Sequence, residues 1–248
     1  MKTAFTLAAL LAAAAAVAQN AGTMLTYKSG ADTVSGYLAL PKGGGRKPAV
    51  VVIQEWWGLN DFVKRKADHF ASQGYVALAP DLYRGKLATT SDEAHQYMMA
   101  LDPARGLGDL RAAVAALRAR NDVDPERIAA VGWCMGGAYS LKLAIAEPKL
   151  AGAVVYYGRP VTDEKEIGSL QVPVLGNFGG KDQGPPPEMV KDFETKAKAA
   201  GKVVDIKFYP EAGHGFASNP QAMRADDAKD ADARTDRFFE AVLKGKKS

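Results

Sequence analysis

Apolar and polar positions along this chain follow two rhythms. Short apolar runs at 49–54, 75–79, 127–131, 151–156, 172–178 and 203–209 predict strands, and the uninterrupted ones read as strands covered on both faces. Between them the spacing becomes helical. Phe62, Ala67 and Phe70 share one face of a helix predicted over 61–72 and ended by Gly74. Further helices are predicted over 91–101, 103–120 and 136–146, and one more is opened by Pro185-Pro186-Pro187 and runs through 200. A charged C-terminal helix over about 220–243 carries Phe238, Phe239, Val242 and Leu243 as its docking face. Two weaker strands, 24–28 and 34–40, come first, and the second is closed by Pro41 and the glycines at 43–45. Asp122-Val123-Asp124-Pro125-Glu126 reads as a turn ahead of the strand at 127–131.

Alternation of buried strands with amphipathic helices predicts the α/β class, a mainly parallel sheet with helices on both faces. No repeat and no linker interrupts it, so residues 19–248 are expected to form a single domain.

The first residues break the rhythm. Met1-Lys2 precedes an apolar run through Val17 that ends in Ala16-Val17-Ala18. A basic start, a short apolar core and an A-x-A site predict a secretory signal peptide over 1–18. The run is short for a membrane span, and no cysteine follows the site to carry a lipid. The expectation is export to the periplasm, with no membrane anchor once the leader is removed. Composition adds little: 47% hydrophobic and 24% charged residues are an ordinary globular mix. The formal charge of +4 is spread along the chain, which excludes nucleic acid as an expected partner.

Cys134 is the only cysteine, so no internal disulfide can form. It sits in Gly132-Trp133-Cys134-Met135-Gly136-Gly137, between a predicted strand and a predicted helix. That is the layout of a G-x-S-x-G nucleophile elbow with sulfur in place of the serine oxygen. Functional side chains of a parallel sheet gather beyond the carboxyl ends of the strands. Glu55, Cys134, Asp182 and His214 all stand at such ends. Of the three histidines, only His214 follows a strand and sits between glycines, which makes it the candidate base. Asp182, after Gly179-Gly180-Lys181, is the candidate acid that orients it; the other reading is an ordinary Asx-turn residue. Glu55, beside Trp56 and Trp57, is either catalytic or a structural acid paired to a base. Backbone N–H groups of Met135 and Trp56 are the candidate oxyanion donors. The order nucleophile, acid, histidine is that of the α/β-hydrolase fold.

These motifs, with Gln54-Glu55-Trp56-Trp57-Gly58, Ala79-Pro80-Asp81-Leu82-Tyr83, Tyr156-Tyr157-Gly158, Gly180-Lys181-Asp182 and Gly213-His214-Gly215-Phe216, resemble the dienelactone hydrolase (carboxymethylenebutenolidase) family over nearly the whole mature chain. The resemblance implies a Cys134-His214-Asp182 triad and hydrolysis of a small ester or enol-lactone through an acyl-cysteine. It implies that Glu55 contacts the nucleophile and takes the thiol proton when substrate displaces it. It also implies substrate contacts from Trp57, Tyr157 and Arg84, although Arg84 is displaced by one position from the family's arginine. Ser218 stands where the family carries a second carboxylate-binding arginine, so the expected partner of Glu55 is missing. Broad carboxylesterase or thioesterase activity is the alternative, and an exported binding protein of the same fold is a third reading. No metal or cofactor is expected; the expected partner is a small-molecule ester or lactone, and the expected state is a monomer.

Overall fold

The computed structural model describes residues 22–245, so the predicted leader lies outside the described residues. The chain forms eight strands: β1 (Thr23–Ser29), β2 (Asp32–Ala39), β3 (Lys47–Ile53), β4 (Val76–Pro80), β5 (Val123–Trp133), β6 (Gly152–Tyr156), β7 (Val174–Gly179) and β8 (Val204–Tyr209). Helices α1 (Asp61–Ser72), α2 (Ser91–Ala100), α3 (Pro103–Arg118), α4 (Met135–Ala146), α5 (Glu164–Ser169), α6 (Pro187–Ala199) and α7 (Ala225–Lys244) connect and follow them. The sheet order is β1-β2-β4-β3-β5-β6-β7-β8. β1, β2 and β4 pair antiparallel, and every pairing from β4 onward through β8 is parallel.

Strand alternation sorts the core into two layers. Val51, Ile53, Leu78, Ile128 and Ala130 pack with Leu110 and Val114 of α3, Leu141 and Leu143 of α4 and Phe193 of α6. On the opposite face Val50, Val52, Ala129 and Val131 pack with Val63 and Phe70 of α1 and with Ala231, Phe239 and Leu243 of α7. Phe239 is fully buried, and its rings meet Phe70 and Tyr75 edge to face. Truncating it to alanine would cost about 3–5 kcal/mol.

The amphipathic helix at 61–72 forms with the bounds its pattern predicts, because Asn60 accepts a cap bond from the Val63 amide. Two features differ from expectation. β5 begins at Val123, inside the predicted turn, since Val123 pairs with Lys47 before a register shift delivers Ala49 to Ile128. α5 was not foreseen, being too short to show a helical period. Because β3, β5, β7 and β8 run in parallel, Glu55, Cys134, Asp182 and His214 emerge at one edge of the sheet. None of the described helices is long and apolar enough to cross a membrane.

Candidate active site

The turn from β5 into α4 dictates where Cys134 stands. Its backbone is left-handed, with φ 54° and ψ −118°, a conformation that costs about 1–3 kcal/mol for a residue with a side chain. Two bonds hold it there: the Cys134 amide donates to the Tyr156 carbonyl (3.0 Å), and the Ala138 amide donates to the Cys134 carbonyl (3.1 Å). The flanking glycines are obligatory. A Cβ on Gly132 would lie 2.0 Å from the Gly136 carbonyl oxygen, and one on Gly136 would lie 2.4 Å from the carbonyl oxygens of Ile53 and Gln54. Behind the elbow Trp133 is fully buried, stacked on Tyr156 with ring centroids 5.0 Å apart.

Cys134 Sγ lies 3.0 Å from His214 Nε2, and His214 Nδ1 lies 2.9 Å from Asp182 Oδ2. Asp182 is buried, and its other oxygen accepts from the Gly184 amide at 2.7 Å, so the carboxylate is fixed. The His214 side chain is 38% exposed and open to the cavity. Burial lowers its pKa, but the hydrogen bonds to Asp182 and Cys134 and the charges of both outweigh that and push it up to about 10. The arrangement places the imidazole to take up a proton from the sulfur beside it.

A second chain of bonds runs alongside. Tyr157 Oη donates to Ser218 Oγ (2.9 Å), which donates to Glu55 Oε1 (2.8 Å). Tyr157 is fully buried, with φ 37°, its amide bound to the Asn177 carbonyl at 2.8 Å. Burial, and then the Glu55 charge, hold its phenol well above the usual range, so it remains a donor. Its ring also meets the His214 ring edge to face at 5.1 Å. Burial pushes Glu55 up to about 7, against the opposing pull of the Ser218 bond and the His214 charge. Ser218 therefore does not leave Glu55 without a partner, as the sequence suggested; it supplies a neutral one. Nor does Glu55 bond Cys134: its side-chain bond goes to Ser218, while the sulfur faces His214.

Glu55, Cys134, His214, Ser218 and Tyr157 all line one cavity of about 560 Å³. Trp56 and Met135, the expected oxyanion donors, front it, as does Trp57. Met135 opens α4, where the first amides lack intrahelical acceptors and the helix dipole favours negative charge. Its thioether accepts from Tyr83 Oη at 3.4 Å. Arg84 is the expectation that fails. Its backbone turns through φ 55°, and its guanidinium binds Asp32 (2.6 Å) and the buried Asp109 (3.3 Å), away from the cavity. An aspartate two helical turns into α3 captures it, and nothing local in the sequence signals that pairing.

Several cavity residues were not singled out in advance. Met98, Leu101, Pro103 and Tyr139 form an apolar wall, and Lys142 and Arg159 stand on the cavity lining. Their signal was positional: Lys142 lies two turns up α4 from Cys134, and Arg159 follows the strand-end Tyr157-Gly158. Among the described residues no group of three or more His, Cys, Asp or Glu side chains is placed to hold a metal ion.

A model of the dienelactone hydrolase family matches residues 34–243. A relative from Methylorubrum extorquens, provisionally named a carboxymethylenebutenolidase, is 33% identical over 221 residues, which cover 83% of this chain and 76% of the relative. A solved structure provisionally named a dienelactone hydrolase, from Klebsiella pneumoniae, superposes with a TM-score of 0.80 at 28% identity, covering 89% of this chain and 99% of that one. A dienelactone hydrolase-like promiscuous phosphotriesterase from metagenomic libraries superposes with a TM-score of 0.82 at 26% identity, covering 90% and 99%.

Proposed function

Because this chain belongs to the dienelactone hydrolase family and is a carboxylic ester hydrolase, we propose that it cleaves a small ester or lactone through an acyl-cysteine at Cys134. The observation that carries this reading is the imidazole of His214 placed 3.0 Å from sulfur and 2.9 Å from a fixed, buried carboxylate. Such a line is what nucleophilic acyl transfer requires: a nucleophile, a proton carrier and a group that orients the carrier.

The steps follow from where the proton rests. Cys134 passes its thiol proton to His214 as its sulfur attacks the carbonyl carbon. Negative charge moves to the carbonyl oxygen, which the amides of Met135 and Trp56 receive at the positive end of α4. Collapse breaks the carbon–oxygen bond, and His214 gives its proton to the departing alkoxide. In a lactone that alkoxide stays tethered to the acyl group. Acylation removes the sulfur charge, and with it part of what holds the His214 pKa up. The neutral imidazole can then take a proton from water as it attacks the thioester. Expulsion of sulfur restores the thiolate beside a protonated His214, and the acid product leaves. Glu55 faces this site with a pKa near neutrality. Protonated, it adds no repulsion to the developing oxyanion; ionised, it does.

Rapid quenching with p-nitrophenyl acetate tests the reading. An acetyl adduct on the peptide that carries Cys134, formed in a burst of p-nitrophenol, is the expected result. A burst with the adduct on any other residue, or turnover that persists after Cys134 is blocked, overturns it.

A further inference from the structure

The cavity is lined by chemically distinct groups. Cys134, His214 and Glu55 share it with the apolar Trp56, Trp57, Met98 and Leu101. At the α4 side stand two cations, Lys142 and Arg159. Both are exposed, and neither is ion-paired with any described residue. Lys142 rests its ammonium 5.9 Å from the Tyr139 ring centroid. Glu55 is the sole carboxylate among the described residues that line the cavity, and it is committed to Ser218.

The backbone that carries Arg159 is tightly placed. Arg159 lies between Gly158 and the buried Pro160, two residues after the left-handed Tyr157. Gly158 is pressed against α4 so tightly that a Cβ there would lie 2.3 Å from the Ala138 amide. Ala138 is about 6 Å beyond Cys134, and Lys142 about 12 Å beyond it, along the axis of the same helix. The backbone that carries Arg159 thus meets α4 between Cys134 and Lys142. An unpaired guanidinium can take a carboxylate or phosphate as a bidentate, charge-assisted pair.

We propose that Arg159 and Lys142 form an anion subsite for the far end of the substrate, selecting esters whose terminal carboxylate or phosphate lies about 6–12 Å from the scissile carbonyl, with an apolar segment between. This rests on the reading of Cys134 as nucleophile and deepens it by naming the substrate class. The proposed separation favours extended substrates over compact ones.

Mono-p-nitrophenyl esters of dicarboxylic acids, from succinate through adipate and suberate to sebacate, test the subsite against uncharged acyl esters of equal length. A parallel set of aryl acetates carries the carboxylate on the leaving-group side. The expected result is a kcat/KM ratio, anionic over neutral, that is smallest for succinate and rises roughly tenfold for longer members in one of the two sets. The ratio should fall as salt is raised. It should drop about five- to tenfold in Arg159→Gln and further in the Arg159→Gln/Lys142→Gln double variant, mainly through KM. The neutral ester, measured on the same variants, reports on folding. A flat ratio in both sets, or a preference that survives in the double variant, overturns the subsite. Cys134→Ala separates the two readings. Equal turnover of the neutral ester by this variant and the unaltered enzyme defeats the nucleophile, whereas Cys134-dependent turnover with a flat ratio defeats the subsite alone.

Discussion

Two three-membered chains of hydrogen bonds end in the same cavity, and they are built on opposite principles. One runs from Asp182 through His214 to Cys134, the other from Tyr157 through Ser218 to Glu55. Their lengths are alike, 2.9 and 3.0 Å in the first and 2.9 and 2.8 Å in the second. The middle member differs. An imidazole can carry charge between a carboxylate and a thiolate, and its pKa rises to about 10. A serine hydroxyl carries none, and burial pushes the Glu55 pKa up to about 7 against the Ser218 bond and the His214 charge. At Glu55, burial outweighs one neutral hydrogen bond and one neighbouring charge together.

The largest test cuts the first chain at its end. Cys134→Ala should lower p-nitrophenyl acetate hydrolysis by about 10⁴-fold or more, measured at steady state. Equal rates would take the first chain out of catalysis. Cutting at its root is the next step down. Asp182→Asn should lower kcat about 10³-fold. It should also slow alkylation of Cys134 by iodoacetamide near pH 6, because His214 loses the support that keeps its proton. An unchanged alkylation rate would mean that the reactivity of Cys134 does not depend on the first chain.

A charged middle member can be placed in the second chain. Ser218→Arg should pair with Glu55 and lower its pKa, moving the carboxyl's titration below neutrality. The unaltered enzyme should show kcat falling as pH rises through about 7. In Ser218→Arg that descending limb should shift toward acid by at least about one pH unit, with a change in kcat of about tenfold or less. A limb that stays at its original pH would break the comparison, since the second chain would then be insensitive to charge.

Glu55→Gln gives the smallest effect and reads stability. A carboxyl whose pKa is raised from 4.5 to about 7 in the folded state stabilises the fold fully below pH 4.5, and this contribution is lost as pH rises to about 7. Replacing Glu55 removes that loss. The Tm of Glu55→Gln relative to the unaltered enzyme should therefore be more favourable at pH 8 than at pH 5, by an amount corresponding to about 2–3 kcal/mol at most. Equal differences at the two pH values would show that Glu55 does not titrate in this range.

Much of this was legible in the sequence, for reasons of locality. The elbow was readable because its glycines, strand and helix are consecutive. Asp182 and His214 were readable because parallel strands deliver their ends to one edge, so position in the chain stands in for position in space. The helix at 61–72 was readable from its cap and its period. What escaped is long-range pairing of polar side chains. Ser218 meets Glu55 across a separation of 163 residues, and a missing arginine in the sequence gave no hint that the serine itself would take up the bond. Arg84 was drawn away by Asp109 and Asp32, a capture that rests on the turn at its own φ of 55°. Lys142 and Arg159 carry no motif. Only the packing of Gly158 against α4 brings them to one side of the cavity.

The left-handed backbone of Cys134 has a consequence on an evolutionary timescale. Glycine would relieve the strain there at once, and Cys134→Gly should stabilise the fold by about 1 kcal/mol. Under the proposed function, Cys134 is thus a residue that costs the fold stability and is retained by selection for turnover. In a duplicated gene freed from that selection, drift toward glycine at this position meets no structural resistance, whereas Gly132 and Gly136 cannot drift without breaking the elbow. Loss of the cysteine between two preserved glycines would be the expected mark of a descendant that has given up the reaction and kept the fold.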